Sequence, residues 1–412
     1  MSFDENTLYN IKTSLPGTRC PLFDLAIWKN GLAFKKIDFS EDGVPVIKIA
    51  ELNNGIGSNT SFTEGDYGEE VRLHQGDLLF SWSGNPQTSI DVYKYQLDDG
   101  WLNQHIFKVT ANETMASKDF LFYLLKYLKP HFTQIATNKQ TTGLGHVTIA
   151  DLKRMSVVVP EKIIQDRIVA VVKTIDDKIE VNNEINKNLL HQTRVIFKHW
   201  FTDNPNLDTM KQATLADLCL VVTKGTTPTT LGKTFASEGI NFIKAESILD
   251  NHAIDKEKFA FIDSETNDLL KRSIISSGDI VFTIAGTLGR FALIDDSVLP
   301  ANTNQAVAII RANQSKVTPE YLYSFFLGNW HNDYYTKRIQ QAVQANLSLG
   351  TIKSLPIPIL SDKAMSEYLG IIKPIIAMTK ANELEITRLR AIRDALLPQL
   401  MSGTLDVSNL DL

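Results

Sequence analysis

The chain has 412 residues, with 42 Lys and Arg against 47 Asp and Glu, a formal net charge of −5. A composition of 43% hydrophobic and 22% charged residues is that of a globular protein and excludes the disordered and fibrous classes, while the length predicts two or three domains. The longest apolar runs, such as residues 280–284, fall far short of the ~20 residues of a membrane span, so no membrane association is expected.

The N-terminus carries Asp4 and Glu5 and no apolar core, unlike a secretory signal. Cys20 and Cys219 are the only cysteines, which argues against a disulfide framework and for a reducing cytoplasm. The acidic balance predicts no diffuse affinity for nucleic acid, so any DNA binding must come from local patches or basic partners.

Taken in order, the chain repeats itself. Leu22-Phe23-Asp24-Leu25 returns as Leu215-Ala216-Asp217-Leu218, and Gly31 falls where Gly225 falls. Pro45-Val46-Ile47-Lys48 is matched by Asn241-Phe242-Ile243-Lys244, and Gly76-Asp77-Leu78-Leu79-Phe80 by Gly278-Asp279-Ile280-Val281-Phe282. Asn103-Gln104 corresponds to Asn304-Gln305, Asp119-Phe120-Leu121 to Glu320-Tyr321-Leu322, and Leu152-Lys153 to Ile352-Lys353. Matches in one order, at an offset drifting around roughly 200 residues, mean duplication, with a period far longer than that of a solenoid unit.

Within each half, short β-rich runs come first: residues 44–49, 77–82 and 104–109, then 241–245, 279–284 and 306–311. Gly, Asn, Asp and Ser turns separate them. A helix is expected over 118–127 and again over 319–326, and a short apolar strand before Pro160 or Pro358 closes each compact part.

A long helix ends each half. Residues 163–201 contain no Pro or Gly and repeat apolar residues at helical spacing: Ile168, Val172, Ile175, Ile179, Ile185, Leu189, Ile196 and Trp200. The counterpart over 366–400 carries Ile372, Ile375, Met378, Leu384, Leu389, Ile392, Leu396 and Leu400, with a kink or restart expected at Pro374. A stripe of this length needs a partner, and the other repeat's helix has the matching length, most simply antiparallel. Asn182, Asn183 and Asn382 are placed to fix its register, whereas Glu180, Glu184, Glu383 and Glu385 read as solvated faces. The fold class is therefore α+β: two β-rich domains joined by two long antiparallel coiled-coil helices, as a pseudo-two-fold repeat. The boundaries drawn are 1–160 and 204–360 for the compact domains, 161–203 and 361–403 for the helices, and 404–412 for a tail. Such helices would be about 60 Å long, enough to set two modules more than one duplex turn (about 34–36 Å) apart.

At this point the residues resemble a family, the specificity subunit of type I restriction–modification systems. Lys224-Gly225-Thr226-Thr227-Pro228 is similar to the family's Gly-x-Thr-Pro segment, and residues 240–245 to the strand after it. Residues 277–282 with Gly286-Thr287-Leu288-Gly289-Arg290, then Asn304-Gln305 and Asn103-Gln104, resemble its later strands, and residues 397–403 its C-terminal helix end. Gly31-Leu32-Ala33-Phe34 departs from Gly-x-Thr-Pro, and Gln165-Asp166 replaces the Glu-Gln of the helix start. The resemblance implies a non-catalytic subunit without cofactor, each compact part being a target-recognition domain for one half of a two-part DNA target. The helices would set the gap and dock two modification (adenine methyltransferase) subunits, and restriction/translocase subunits would join that core.

The chemistry agrees. No methyltransferase Asn/Asp-Pro-Pro-Tyr/Phe run and no Gly-rich cofactor fingerprint occurs, and the eight His are scattered without metal-ligand spacing. Residues 225–234 imitate a phosphate-binding loop. However, six residues rather than four separate Gly225 from Gly232-Lys233-Thr234, and Pro228 has no N–H to offer. The alternatives are a coiled-coil scaffold without DNA specificity and an NTPase at this loop.

Polar and cationic residues on turns are the candidate DNA contacts. In the first half they are Lys29, Asn30, Lys35, Lys36, Lys48, Ser81, Ser83, Asn85, Lys139, Gln140, Thr141, Thr142 and His146. In the second they are Lys224, Thr226, Thr227, Thr229, Thr230, Lys233, Lys244, Arg290, Gln340, Gln341, Gln344 and Asn346. Trp82 and Phe34 read as core residues.

Overall fold

A computed structural model describes residues 5–140, 143–339 and 346–407. The chain divides into two compact units, residues 1–179 with 388–412, and residues 180–387. Each unit therefore holds a compact domain and part of both long helices, whereas the sequence pattern had set the helices apart.

The units repeat one architecture. In the first, the central antiparallel sheet runs Ala26–Asn30, Ile106–Ala111, Leu78–Ser81, Asp91–Lys94; in the second, Cys219–Lys224, Val307–Ala312, Ile280–Thr283, Phe291–Leu293. Beside each lies a smaller sheet in which one strand pairs parallel with another far along the chain. Val44–Ile47 pairs with Gly100–Leu102, and Ile240–Ile243 with Ala301–Thr303. A two-stranded ribbon closes each unit, Thr18–Pro21 on Ser156–Val159 and Lys211–Thr214 on Pro356–Ile359. The second unit has one extra residue between its Leu-Ala-Asp-Leu motif and Gly225. It is absorbed as a bulge at Leu220, where the register with the neighbouring strand slips.

Helices form where expected. Lys118–Tyr127 starts at Ser117, whose hydroxyl accepts from the Phe120 N–H, and Pro319–Leu327 at Thr318, which caps Tyr321 alike. Both bury apolar faces against the central sheets.

The long helices span Lys162–Phe197, followed by a π-turn over Lys198–Thr202, and Asp362–Ser402. In the first unit Ile168 and Val172 share a core with Leu397, Leu400 and Met401, and Arg393 Nη1 lies 3.0 Å from Asp176 Oδ1. In the second, Asn182 donates to Glu385 Oε2 at 2.8 Å, and Asn382 donates to Asn186 Oδ1 at 2.8 Å. Rising numbers on one helix meet falling numbers on the other, so the pairing is antiparallel in each unit. The register role falls to Asn182, Asn186 and Asn382, while Asn183 is exposed.

Three expectations are corrected. Pro374 does not restart its helix, which runs on over Asp362–Ser402: Pro374 and Gly370, whose carbonyl loses its partner, both face water, while Tyr368, Ile372 and Ile376 hold the other face in the core. Ile185, Met378, Leu384 and Ile392 are 36–53% exposed and lie outside the seam. Glu383 is not solvated; burial raises its carboxyl above the usual range, against the pull of Lys380, whose Nζ lies 2.8 Å away.

Gln165 ties the start of the first long helix to the compact domain. Only 2% exposed, it accepts from the Ser117 N–H at 3.0 Å and donates at 2.9 Å to the carbonyls of Met115 and Pro160. Gln165→Leu leaves these groups unpartnered and should lower the stability of the first unit by ~2–3 kcal/mol, read as a shifted denaturant midpoint.

His331, 3% exposed among Phe282, Phe291, Phe326 and Tyr335, is held neutral, burial lowering its pKa from 6.5 to about 4. The unfolded chain takes up this proton first, so the stabilisation is complete above pH 6.5 and is lost as pH falls toward about 4. His331→Phe should flatten the acid limb of stability measured against pH, a difference of ~1–3 kcal/mol.

Candidate nucleic-acid interface

In each central sheet three strands bring their ends to one place. In the first unit, Asn30 pairs with Phe107 and Phe107 with Phe80, so the ends at Asn30 and Ser81 meet the start at Ile106. In the second, Lys224 pairs with Ala308, and Thr283 with Val307. The loops leaving this end carry much of the candidate set.

Two glycines root these loops. A Cβ on Gly31 would stand 2.2 Å from the Asn103 carbonyl oxygen, and one on Gly225 1.9 Å from that of Thr303. Both positions admit only hydrogen, so the loop crosses directly over the Asn-Gln turn. Gly225 N–H donates to the Asn304 carbonyl at 3.0 Å, and Thr227 bonds the Gln305 side chain. In the first unit Leu32 N–H donates to Leu102 O at 2.9 Å, and Gln104 N–H to Leu32 O at 3.0 Å.

Around the first crossing, Trp82 donates from Nε1 to Asn30 Oδ1 at 3.0 Å and stacks on Phe107 at 5.6 Å. Ser83 and His146 face each other across a two-residue ribbon. Asn85 is exposed beside them, and its carboxamide oxygen accepts from the Gln87 N–H at 3.0 Å. Lys29 is paired with Glu70. Lys35 and Lys36 stand exposed on the loop that leaves Gly31. Around the second crossing, Lys224 is exposed, and Thr226 accepts from Arg272 at 3.4 Å. Thr229 and Thr230 are exposed on the short turn Pro228–Leu231, and Lys233 pairs with Glu265 at 2.7 Å. Arg290 is tied to the same sheet end by its N–H, which donates to the Thr283 hydroxyl at 2.8 Å. Asn346 is exposed next to Leu347, whose N–H bonds the Ile284 carbonyl at 3.0 Å.

Other candidates stand apart. Lys48 reaches Ser61 Oγ at 3.0 Å, and Lys244, at the matching strand end, pairs with Glu246 at 2.8 Å. Ser81 is corrected: it is fully buried, its hydroxyl accepting from the Asp91 N–H at 3.1 Å. Lys139 is likewise spent on the fold. Its ammonium lies 2.5 and 2.6 Å from the oxygens of buried Asp151, which also accepts from Tyr9 and Thr148. Gln140 is exposed; Thr141, Thr142, Gln340, Gln341 and Gln344 lie outside the described residues. Gln305 and Arg272, outside the candidate set, touch it through Thr227 and Thr226, and His105 lies exposed beside Trp82, their ring centroids 6.0 Å apart; for Gln305 and His105 the Asn-Gln pair recurring in both halves was the available signal.

The imitation phosphate loop has no strand–loop–helix around it. After Gly232 (φ +70°) the next regular element is the strand Ile240–Ile243, and Lys233 is engaged by Glu265.

Two copies of one α+β module, each presenting a mixed polar and cationic loop surface at one sheet end, define a protein of two similar modules of one descent. Residues 20–191 and 208–388 match the type I restriction modification DNA specificity domain, and the chain belongs to that family. It is similar to the EcoBI specificity subunit of Escherichia coli, 20% identical over 98% of this chain and 91% of that one. It also resembles the HindI specificity subunit of Haemophilus influenzae, 22% identical over 80% and 87%. The fold is similar to the crystal structure of the type I S subunit from M. genitalium, with a TM-score of 0.52 at 15% identity over 95% and 97% of the two chains. Among the described residues no helix is long and apolar enough to cross a membrane.

Gly225→Ala should displace the second domain's loop from its turn. Recognition of one half-site should then weaken at least ~10-fold while the other is read as before, measured by methylation of targets altered in one half at a time.

Proposed function

We propose that this chain is the non-catalytic DNA-specificity subunit of a type I restriction–modification complex acting in the cytoplasm. The domains over 1–160 and 204–360 each read one half of an asymmetric two-part target in double-stranded DNA. The long helices set the unspecified gap and dock two modification (adenine methyltransferase) subunits, and restriction/translocase subunits complete the assembly. The observation that carries this reading is the duplicated loop crossing at Gly31 and Gly225, one scaffold bearing different side chains in its two copies. A scaffold without DNA would have no use for two such divergent polar surfaces. Apolar residues left in water on the helices, among them Ile185 and Leu384, suit subunit docking.

Genome-wide mapping of methylated adenine, with and without this chain, tests the reading: one bipartite motif should disappear with it, and an unchanged methylome would refute the role. Deleting one helical turn within residues 175–190, with a matched deletion in the second helix, should shorten the gap and leave both half-sites unchanged. Exchanging residues 1–160 for a homologous segment should alter one half-site alone; a change in both would contradict modular reading.

A further inference from the structure

Three cations at the candidate reading ends, Arg290, Lys233 and Lys29, are already paired with the protein's own acids. Arg290 forks onto Asp250, Nε to Oδ1 at 2.7 Å and Nη2 to Oδ2 at 2.6 Å, while Nη1 donates to the Ile248 carbonyl at 3.4 Å. Lys233 donates to Glu265 Oε1 at 2.7 Å, and Lys29 is paired with Glu70 in the first domain. In every pair the acid is the more exposed member. Asp250, Glu265 and Glu70 are 81%, 75% and 76% exposed, against 25%, 31% and 45% for their cations. Single-contact exposed pairs such as Lys233–Glu265 and Lys29–Glu70 contribute little to folding.

A carboxylate that offers two coplanar oxygens to a guanidinium presents the acceptor pattern of a phosphate, or of guanine O6 and N7. We propose that Asp250 and Glu265, with Glu70 in the first domain, are internal stand-ins for DNA, each holding a cation of the reading surface until nucleic acid displaces it. The proposal rests on the DNA-reading assignment above. Its effect is selectivity. DNA lacking the target offers mainly phosphates, so each exchange trades one anion for another and gains little. At the target, base contacts made elsewhere on the surface add to the exchange and carry it through.

The stand-ins also leave a signature in salt dependence. Opening a pair frees an acid that keeps a cation near it, so fewer ions are released overall on binding. Neutralising the acid should therefore steepen the log–log fall of affinity with salt, by up to ~0.9 for each pair.

The test uses the full chain assembled with its modification subunits, titrated by fluorescence anisotropy onto a duplex carrying the target found by methylome mapping, and onto one lacking it. Across a range of KCl, Asp250→Asn combined with Glu265→Gln is expected to tighten off-target binding ~3–10-fold and steepen both slopes. Glu238→Gln, an exposed acid on the loop after Lys233, controls for net charge alone. Unchanged affinity in the double variant, or an equal gain in the control, overturns the proposal. Arg290→Ala separates it from the reading beneath it. If that variant binds the target as before with the same salt slope, Arg290 is no DNA contact and the assignment itself fails there. If it weakens binding while Asp250→Asn does not strengthen it, the stand-in role alone fails.

Discussion

Helices of 36 and 41 residues with apolar stripes cannot stand alone in water, and burying those stripes organises everything else. The first unit is completed by residues 388–412, the far end of the chain, because Leu397, Leu400 and Met401 supply part of the core on which Ile168 and Val172 pack. In the second unit Tyr368, Ile372 and Ile376 do the same beneath Phe197 and Phe201. Helix pairing is thus continuous with each domain's core, and a recognition domain cannot loosen from its helices without exposing that core.

Polar groups then fix what apolar burial leaves free. Asp176 accepts from the Tyr123 hydroxyl at 2.9 Å and pairs with Arg393, joining a helix of the compact domain to both long helices of the first unit. In the second unit that place is taken by amides, Asn182 with Glu385 and Asn186 with Asn382. Buried groups of this type tolerate one register, since a shift of one residue would strand them without partners. The two units share a backbone plan and differ in their locks.

Much of this was legible in the sequence, for identifiable reasons. Duplication, the succession of strands along the chain and helix length are written in spacing, which local chemistry enforces: Ser117 and Thr318 cap equivalent helices, and Gly31 and Gly225 recur because nothing larger fits. What escaped depends on neighbours distant in sequence. Ser81 looks like a turn serine but ends a fully buried strand, and Lys139 looks free until Asp151 folds under it. Pro374 reads as a break only if the hydrogen bond it removes is buried, and here that bond faces water. Ile185 and Leu384 follow the helical period yet point outward, because a two-helix seam is narrower than the stripe that periodicity alone suggests.

The same distinction accounts for how one scaffold can serve two different half-sites. The crossing at each glycine constrains only the root of the loop; beyond it Leu32-Ala33-Phe34 in one domain stands where Thr226-Thr227-Pro228 stands in the other. The first loop turns inward, Phe34 packing edge-on against Tyr67 at 4.9 Å, whereas the second keeps its threonines at the surface and ties Thr227 to Gln305. Different side chains therefore surround the two crossings: the Trp82–Asn30 pair, Ser83 and His146 in the first domain, the threonine loop and Arg290 in the second. Divergence at these loops changes what each domain presents without altering the strands and caps that carry them.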